Sequence, residues 1–191
     1  MSEGLTLKKF EEASEIVNKV TLNTNLIYSD YFSEQTGNKV YIKPENMQFT
    51  GAYKVRGAYY KTSTLTPEER AKGLITASAG NHAQGVAYAA KLYGVKATIV
   101  MPTVTPLMKV NRTKSYGADV ILYGDVYDDA CKYALELAEK EGFWRHRNTQ
   151  VRIRILFYRM KLNLQKYQQR LVLQFRILRI VLAILLQNLL M

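Results

Sequence analysis

Apolar residues Leu5, Leu7, Phe10, Ala13, Ile16, Val17 and Val20 recur at helical spacing with charges between them, which predicts an opening helix over 5–20. Lys39-Val40-Tyr41-Ile42-Lys43 alternates like a strand, and Pro44 stops it. Beyond this the punctuation becomes regular. Thr66-Pro67-Glu68-Glu69 is a helix start, with proline at the first helical position and a glutamate three residues after the capping threonine. Residues 73–77 read as a short buried strand, followed by a small polar turn and a helix that Gly94 closes. A strand over 97–101, a helix from Thr105-Pro106 to Tyr116 and Gly117, a strand over 119–123 and a helix over 127–141 closed by Gly142 complete the series. Strand–helix alternation of this length predicts an α/β fold, a parallel sheet with flanking helices and right-handed crossovers.

Past residue 143 the pattern changes. Residues 144–191 contain no Gly, Pro, Ser, Asp or Glu, and they hold ten of the 27 basic residues, whereas all 16 acidic residues lie earlier. The net charge of +11 is therefore a property of the tail, and the first 143 residues are near neutral. A basic nucleic-acid-binding domain is not the reading this supports. Without turn or cap signals, the tail reads as an out-of-frame translation that begins near Phe143. The competing reading is a basic amphipathic helix that packs on a partner or an anionic surface. Translating the other two frames from codon 143 separates the two. The longest uncharged apolar run, 180–191, is 12 residues and includes Gln187 and Asn188, against the roughly 20 that a membrane span needs. No membrane segment is expected. The first residues lack an apolar leader core, and a single cysteine, Cys131, fits a reducing compartment. A cytoplasmic location is expected.

Two motifs carry chemistry. Lys54 sits in Thr50-Gly51-Ala52-Tyr53-Lys54-Val55-Arg56-Gly57-Ala58, just ahead of a helical segment. A lysine amine can condense with an aldehyde cofactor, and the small residues around it let a flat ring approach the backbone. Taken alone, such a lysine is a solvated surface residue. Some 25 residues on, Ser78-Ala79-Gly80-Asn81-His82-Ala83-Gln84-Gly85 opens a helix. Backbone N–H groups and the helix dipole favour an anion there. The plainer alternative is a capped turn, with Ser78 or Asn81 as the cap and His82 as a local hydrogen-bonding group. Cys131 reads as core, Asp125, Asp128 and Asp129 as cap and dipole partners of the last helix, and His146 as part of the aberrant tail. No His and Cys spacing suggests zinc.

From about Leu5 to Gly142 the chain resembles the threonine dehydratase family of pyridoxal-phosphate enzymes. The string Pro44-Glu45-Asn46-x-Gln48-x-Thr50-Gly51-Ala52-Tyr53-Lys54-x-Arg56-Gly57-Ala58 looks like that family's cofactor-lysine motif, with Tyr53 where many members have phenylalanine. The resemblance implies a tryptophan synthase beta-like fold, here truncated: 1–72 as part of the large cofactor domain, 73–142 as the small α/β domain, and 143–191 as the atypical tail. It implies pyridoxal 5'-phosphate on Lys54, with Tyr53 and Asn81 at its ring, and the substrate carboxylate on Ser78, Ala79, Gly80, Asn81 and His82. The implied activity is deamination of L-threonine to 2-oxobutanoate and ammonia, in isoleucine biosynthesis or in threonine catabolism. Lys54 would serve as the base, which requires a neutral amine. The implied partners are a small amino-acid substrate and, in the intact member, other copies in a homo-oligomer, with neither nucleic acid nor membrane.

Serine racemases carry a second serine where this chain has Ala79, so racemisation is disfavoured against elimination; a serine dehydratase or racemase-like activity is the alternative. The family's glycine-rich phosphate loop has no counterpart after Gly142, which makes an inactive product the expectation for this chain. A non-catalytic fragment that associates with a full-length relative is then a rival reading. A peripheral protein whose basic tail binds acidic lipid or nucleic acid is another.

Overall fold

A computed structural model of the chain describes residues 6–145; the tail readings, including that of His146, fall outside them apart from residues 143–145. The elements, in order, are α1 (Leu7–Val17), β1 (Ile27–Tyr28), α2 (Asp30–Thr36), β2 (Tyr41–Ile42), a 3-10 turn (Glu45–Met47), α3 (Lys54–Ser63), α4 (Pro67–Ala71), β3 (Leu74–Ala77), α5 (Asn81–Tyr93), β4 (Ala97–Met101), α6 (Leu107–Ser115), β5 (Asp119–Leu122), α7 (Tyr127–Glu141) and β6 (Trp144–Arg145). They group into two compact units: residues 6–24 with 45–145, and residues 25–44.

The larger unit is built on a parallel sheet of order β5-β4-β3-β6. Leu74 lies beside Ala97, Thr98 beside Asp119, and Leu74 again beside Trp144 on its other flank. Side chains alternate across the sheet, as a strand's period of two demands. Leu74, Ile99, Met101 and Val120 join Ala83, Val86, Ala87 and Ala90 of α5 and Val110 of α6 on one face. Ile75, Ala77, Val100 and Ile121 meet Ala130, Ala134 and Leu137 of α7 on the other. β3 and β4 are buried along their whole length, while β5 is an edge strand with exposed ends. This is the α/β arrangement that the alternation predicts.

Helix ends follow their sequence signals. Thr66 accepts from the Glu69 N–H and Glu69 returns a bond to the Thr66 N–H, a complete capping box with Pro67 at the first position. α5 and α7 close on left-handed Gly94 and Gly142. α7 differs from expectation at its start. Its cap position is Val126, with no side-chain bond, and Asp125, one residue earlier, accepts from Thr103 Oγ1 at 3.1 Å. Asp128 and Asp129 lie in the first turn, where the dipole favours them.

The smaller unit is a two-stranded antiparallel ribbon with a helix between its strands: Ile27 opposes Ile42 and Tyr28 opposes Tyr41. Ser29 caps α2 through the Phe32 N–H, and Gly37 ends it in the left-handed conformation. Ser33 Oγ accepts from the Val40 N–H at 2.9 Å.

Candidate active site

Lys54 is the first residue of α3. The loop before it turns at Gly51, whose φ of 70° is left-handed and whose N–H bonds back to the Gln48 carbonyl at 2.7 Å. Tyr53 follows at the cap position, largely exposed, with the Lys54 Nζ 5.3 Å from its ring centroid. Lys54 itself is half-buried. Burial holds its amine below the ordinary value of 10.5, because removing water penalises the charged form. The lowered pKa is the direction that chemistry on a neutral amine needs.

α3 lies against α5 at one close point. A Cβ added at Gly85 would stand 3.2 Å from the backbone C and O of Lys54 and 3.4 Å from the Ala58 Cβ. Ala58 is buried at this crossing, so its small size serves the helix contact rather than the approach of a ring. Among the described residues nothing lies within 4 Å of a Cβ added at Gly57.

The second motif follows β3 directly. Ser78 is buried, and its Oγ accepts from the N–H groups of Gly80 and Ala83, each at 3.3 Å. Ser78 thus braces the turn through its side chain, but neither it nor Asn81 is the cap residue. Gly80 is the cap residue, Ala79 and Gly80 are half-buried, Asn81 opens the helix exposed, and His82 is buried behind it. The sheet supplies a reason for a site here. The chain lays β3, β4 and β5 outward in one direction and then places β6 on the free flank of β3. The strand order thus reverses at β3, and its carboxyl end, where Ser78 stands, is where open α/β sheets gather ligands.

Sequence reasoning missed two features. Gln84 is buried in α5, and its Oε1 has no hydrogen-bond partner among the described residues; its place three positions after Asn81 was the available signal. Tyr116, at the end of α6, donates to the Phe49 carbonyl at 3.0 Å and edges onto Tyr88, whose ring stacks on Phe49. That contact ties α6 to the Lys54 loop. A hollow of about 260 Å³ lined by Tyr123, Gly124, Asp129, Lys132, Tyr133 and Glu136 includes none of the motif residues.

A family model described as pyridoxal-phosphate dependent enzyme matches residues 17–152. The chain belongs to the pyridoxal-phosphate dependent enzyme family. Among curated members of that family it is 49% identical over 138 residues to an L-threonine ammonia-lyase of Thermotoga maritima, covering 72% of this chain and 34% of that protein. It is 50% identical over 139 residues to a catabolic L-threonine dehydratase of Staphylococcus aureus, covering 72% and 40%. Maize serine racemase superposes with a TM-score of 0.72 at 31% identity over 76% of this chain and 44% of that one. The chain thus spans well under half the length of these relatives. The residues present fit part of what the family's cofactor asks for: a desolvated amine on Lys54 and a helix start at Gly80. No glycine follows Gly142 among the 191 residues.

Proposed function

We propose that the chain carries the amine and carboxylate-binding portion of a pyridoxal-phosphate-dependent L-threonine ammonia-lyase. The observation that carries this reading is the half-buried Lys54 at the start of α3, its amine held down by burial, in a chain whose similar proteins include threonine ammonia-lyases. When bound, the cofactor supplies an electron sink for charge developing at the substrate Cα. Lys54 would hold the cofactor through its amine and, when that amine is free and neutral, would serve as the base at the substrate Cα. Tyr53 shields the amine from water on one side. Asn81 presents its backbone N–H to the substrate carboxylate at the positive end of α5, while Ser78 braces the turn by holding the Gly80 N–H and His82 packs beneath it. Asn81, exposed at the start of α5, would help hold the cofactor ring.

Ala79 carries no transferable proton. Proton exchange from the face opposite Lys54 is therefore disfavoured, and elimination is preferred over racemisation. The large-domain assignment of 1–72 and the small-domain assignment of 73–142 belong to the same proposal, as does a homo-oligomer of the intact protein.

The test is to incubate the full chain with pyridoxal phosphate, trap with borohydride and map the modified lysine by peptide mass. Saturable labelling confined to Lys54 is the expected result. Weak labelling spread over many lysines would sink the proposal.

A further inference from the structure

The loop that carries Lys54 is fastened by residues that perform no chemistry themselves. Glu45 begins the 3-10 turn and Arg56 stands two residues beyond Lys54 in α3. They meet as a fork on a carboxylate: Arg56 Nε donates to Glu45 Oε2 at 2.8 Å and Nη2 donates to Oε1 at 2.9 Å. The third arm, Nη1, donates to Thr21 Oγ1 at 3.3 Å, and Thr24 Oγ1 donates to Glu45 Oε1 at 2.8 Å. Between these anchors Gln48, 3% exposed, brackets Leu22: its Oε1 accepts from the Leu22 N–H at 3.0 Å and its Nε2 donates to the Leu22 carbonyl at 2.8 Å. The segment from 45 to 56 is thereby closed on itself and bound to residues 21–24.

This arrangement has a directional consequence. Residues two apart in an α-helix point about 200° apart around the axis. Holding Arg56 toward residues 21–24 therefore turns Lys54 to the opposite side of the first turn of α3. A planar guanidinium gripping both carboxylate oxygens fixes orientation as well as distance, which a lysine at position 56 would not. Glu45 is held below the ordinary glutamate value chiefly by the Arg56 hydrogen bonds, so both partners stay charged through the neutral range.

We infer that the Glu45–Arg56 pair is a positioning device that sets the rotational phase of the first turn of α3 and with it the direction and burial of the Lys54 amine. The importance of that amine rests on the function proposed above; the positioning itself does not.

The experiment follows each lysine of the full chain separately. Competitive reductive methylation with formaldehyde and cyanoborohydride is run against pH and read by peptide mass. Wild type is compared with Arg56→Lys and with the charge-neutral double variant Glu45→Gln/Arg56→Gln. In the double variant the Lys54 midpoint rises toward the ordinary lysine range, and its methylation near pH 8 slows about threefold or more. Arg56→Lys follows the double variant rather than wild type, because it keeps the charge and loses the fork. An unchanged Lys54 profile would overturn the inference. So would a shift shared by all lysines, which would make the pair a general stabilising element. If wild-type Lys54 fails to take pyridoxal phosphate selectively while its methylation still depends on the pair, the proposed function falls and the positioning stands.

Discussion

A buried amine and a gripped carboxylate make opposite demands on pH. Lys54 is lowered from 10.5 by burial, so the folded state binds its proton less tightly than the unfolded state does. The cost of burying the charged form is present at neutral pH and is relieved as pH rises through the folded value toward 10.5. Lys54→Met is therefore expected to leave thermal stability at pH 7 equal or modestly raised while abolishing site-selective trapping; a clear loss of stability would show the amine making a favourable contact. Glu45 is lowered from 4.5 by Arg56. Its stabilisation is full above the unfolded value and is lost as pH falls through the lower folded one. Glu45→Gln should cost about 1–2 kcal/mol at pH 7, with the gap to wild type closing in urea titrations as pH falls below the unfolded value of 4.5. Lys54 was legible in the sequence because its neighbours form a recognisable string. The roles of Glu45, Gln48 and Arg56 in that same string were not. Their partners lie 11 to 35 residues away along the chain, beyond the reach of any periodicity.

Helices α3 and α5 offer a matched pair of glycines for testing how their contact is built. Gly57 and Gly85 both lie in helix interiors, where alanine gains about 0.5–1 kcal/mol of intrinsic propensity. Gly57→Ala meets nothing within 4 Å among the described residues, so it should stabilise the chain by about that amount. Gly85→Ala would place its methyl 3.2 Å from the Lys54 backbone, atoms that cannot swing aside. The expected net effect is destabilisation by about 1–2 kcal/mol, read by denaturant midpoints, with reduced trapping at Lys54. Tyr116→Phe keeps its ring against Tyr88 and removes only the bond to the Phe49 carbonyl. A loss of about 1 kcal/mol with faster amide exchange confined to residues 48–53 is expected. Element boundaries from 66 to 142 were readable because each carries its own cap or stop, as Thr66, Gly94 and Gly142 do. The ribbon and helix of 25–44 were read only at the strand near Tyr41. Two paired residues per strand are too few to display a period, and Ser29 and Gly37 were the signals passed over.

At the scale of the whole molecule, β6 carries more than its two residues suggest. The sequence reading placed the change of character near Phe143, yet Trp144 and Arg145 still pair in parallel with Leu74 and Ile75, and the family match runs to residue 152. The turn from outward growth to the other flank of β3 could not be read from the alternation, since strands and helices in the same order fit several sheet orders. Its consequence concerns the order of assembly. During synthesis β3, β4 and β5 emerge in succession and can pair through short crossovers. The flank of β3 facing away from β4 must wait for residue 144, some 70 positions later. Until then an apolar strand presents unpaired backbone groups, the condition that invites sticking to other chains. Trp144 is the only tryptophan, and its backbone N–H donates to the Gly73 carbonyl at 2.9 Å. Its fluorescence therefore reports the final closing step without any introduced label. On refolding, that signal should lag the recovery of far-ultraviolet ellipticity, and aggregation should be confined to the interval between the two.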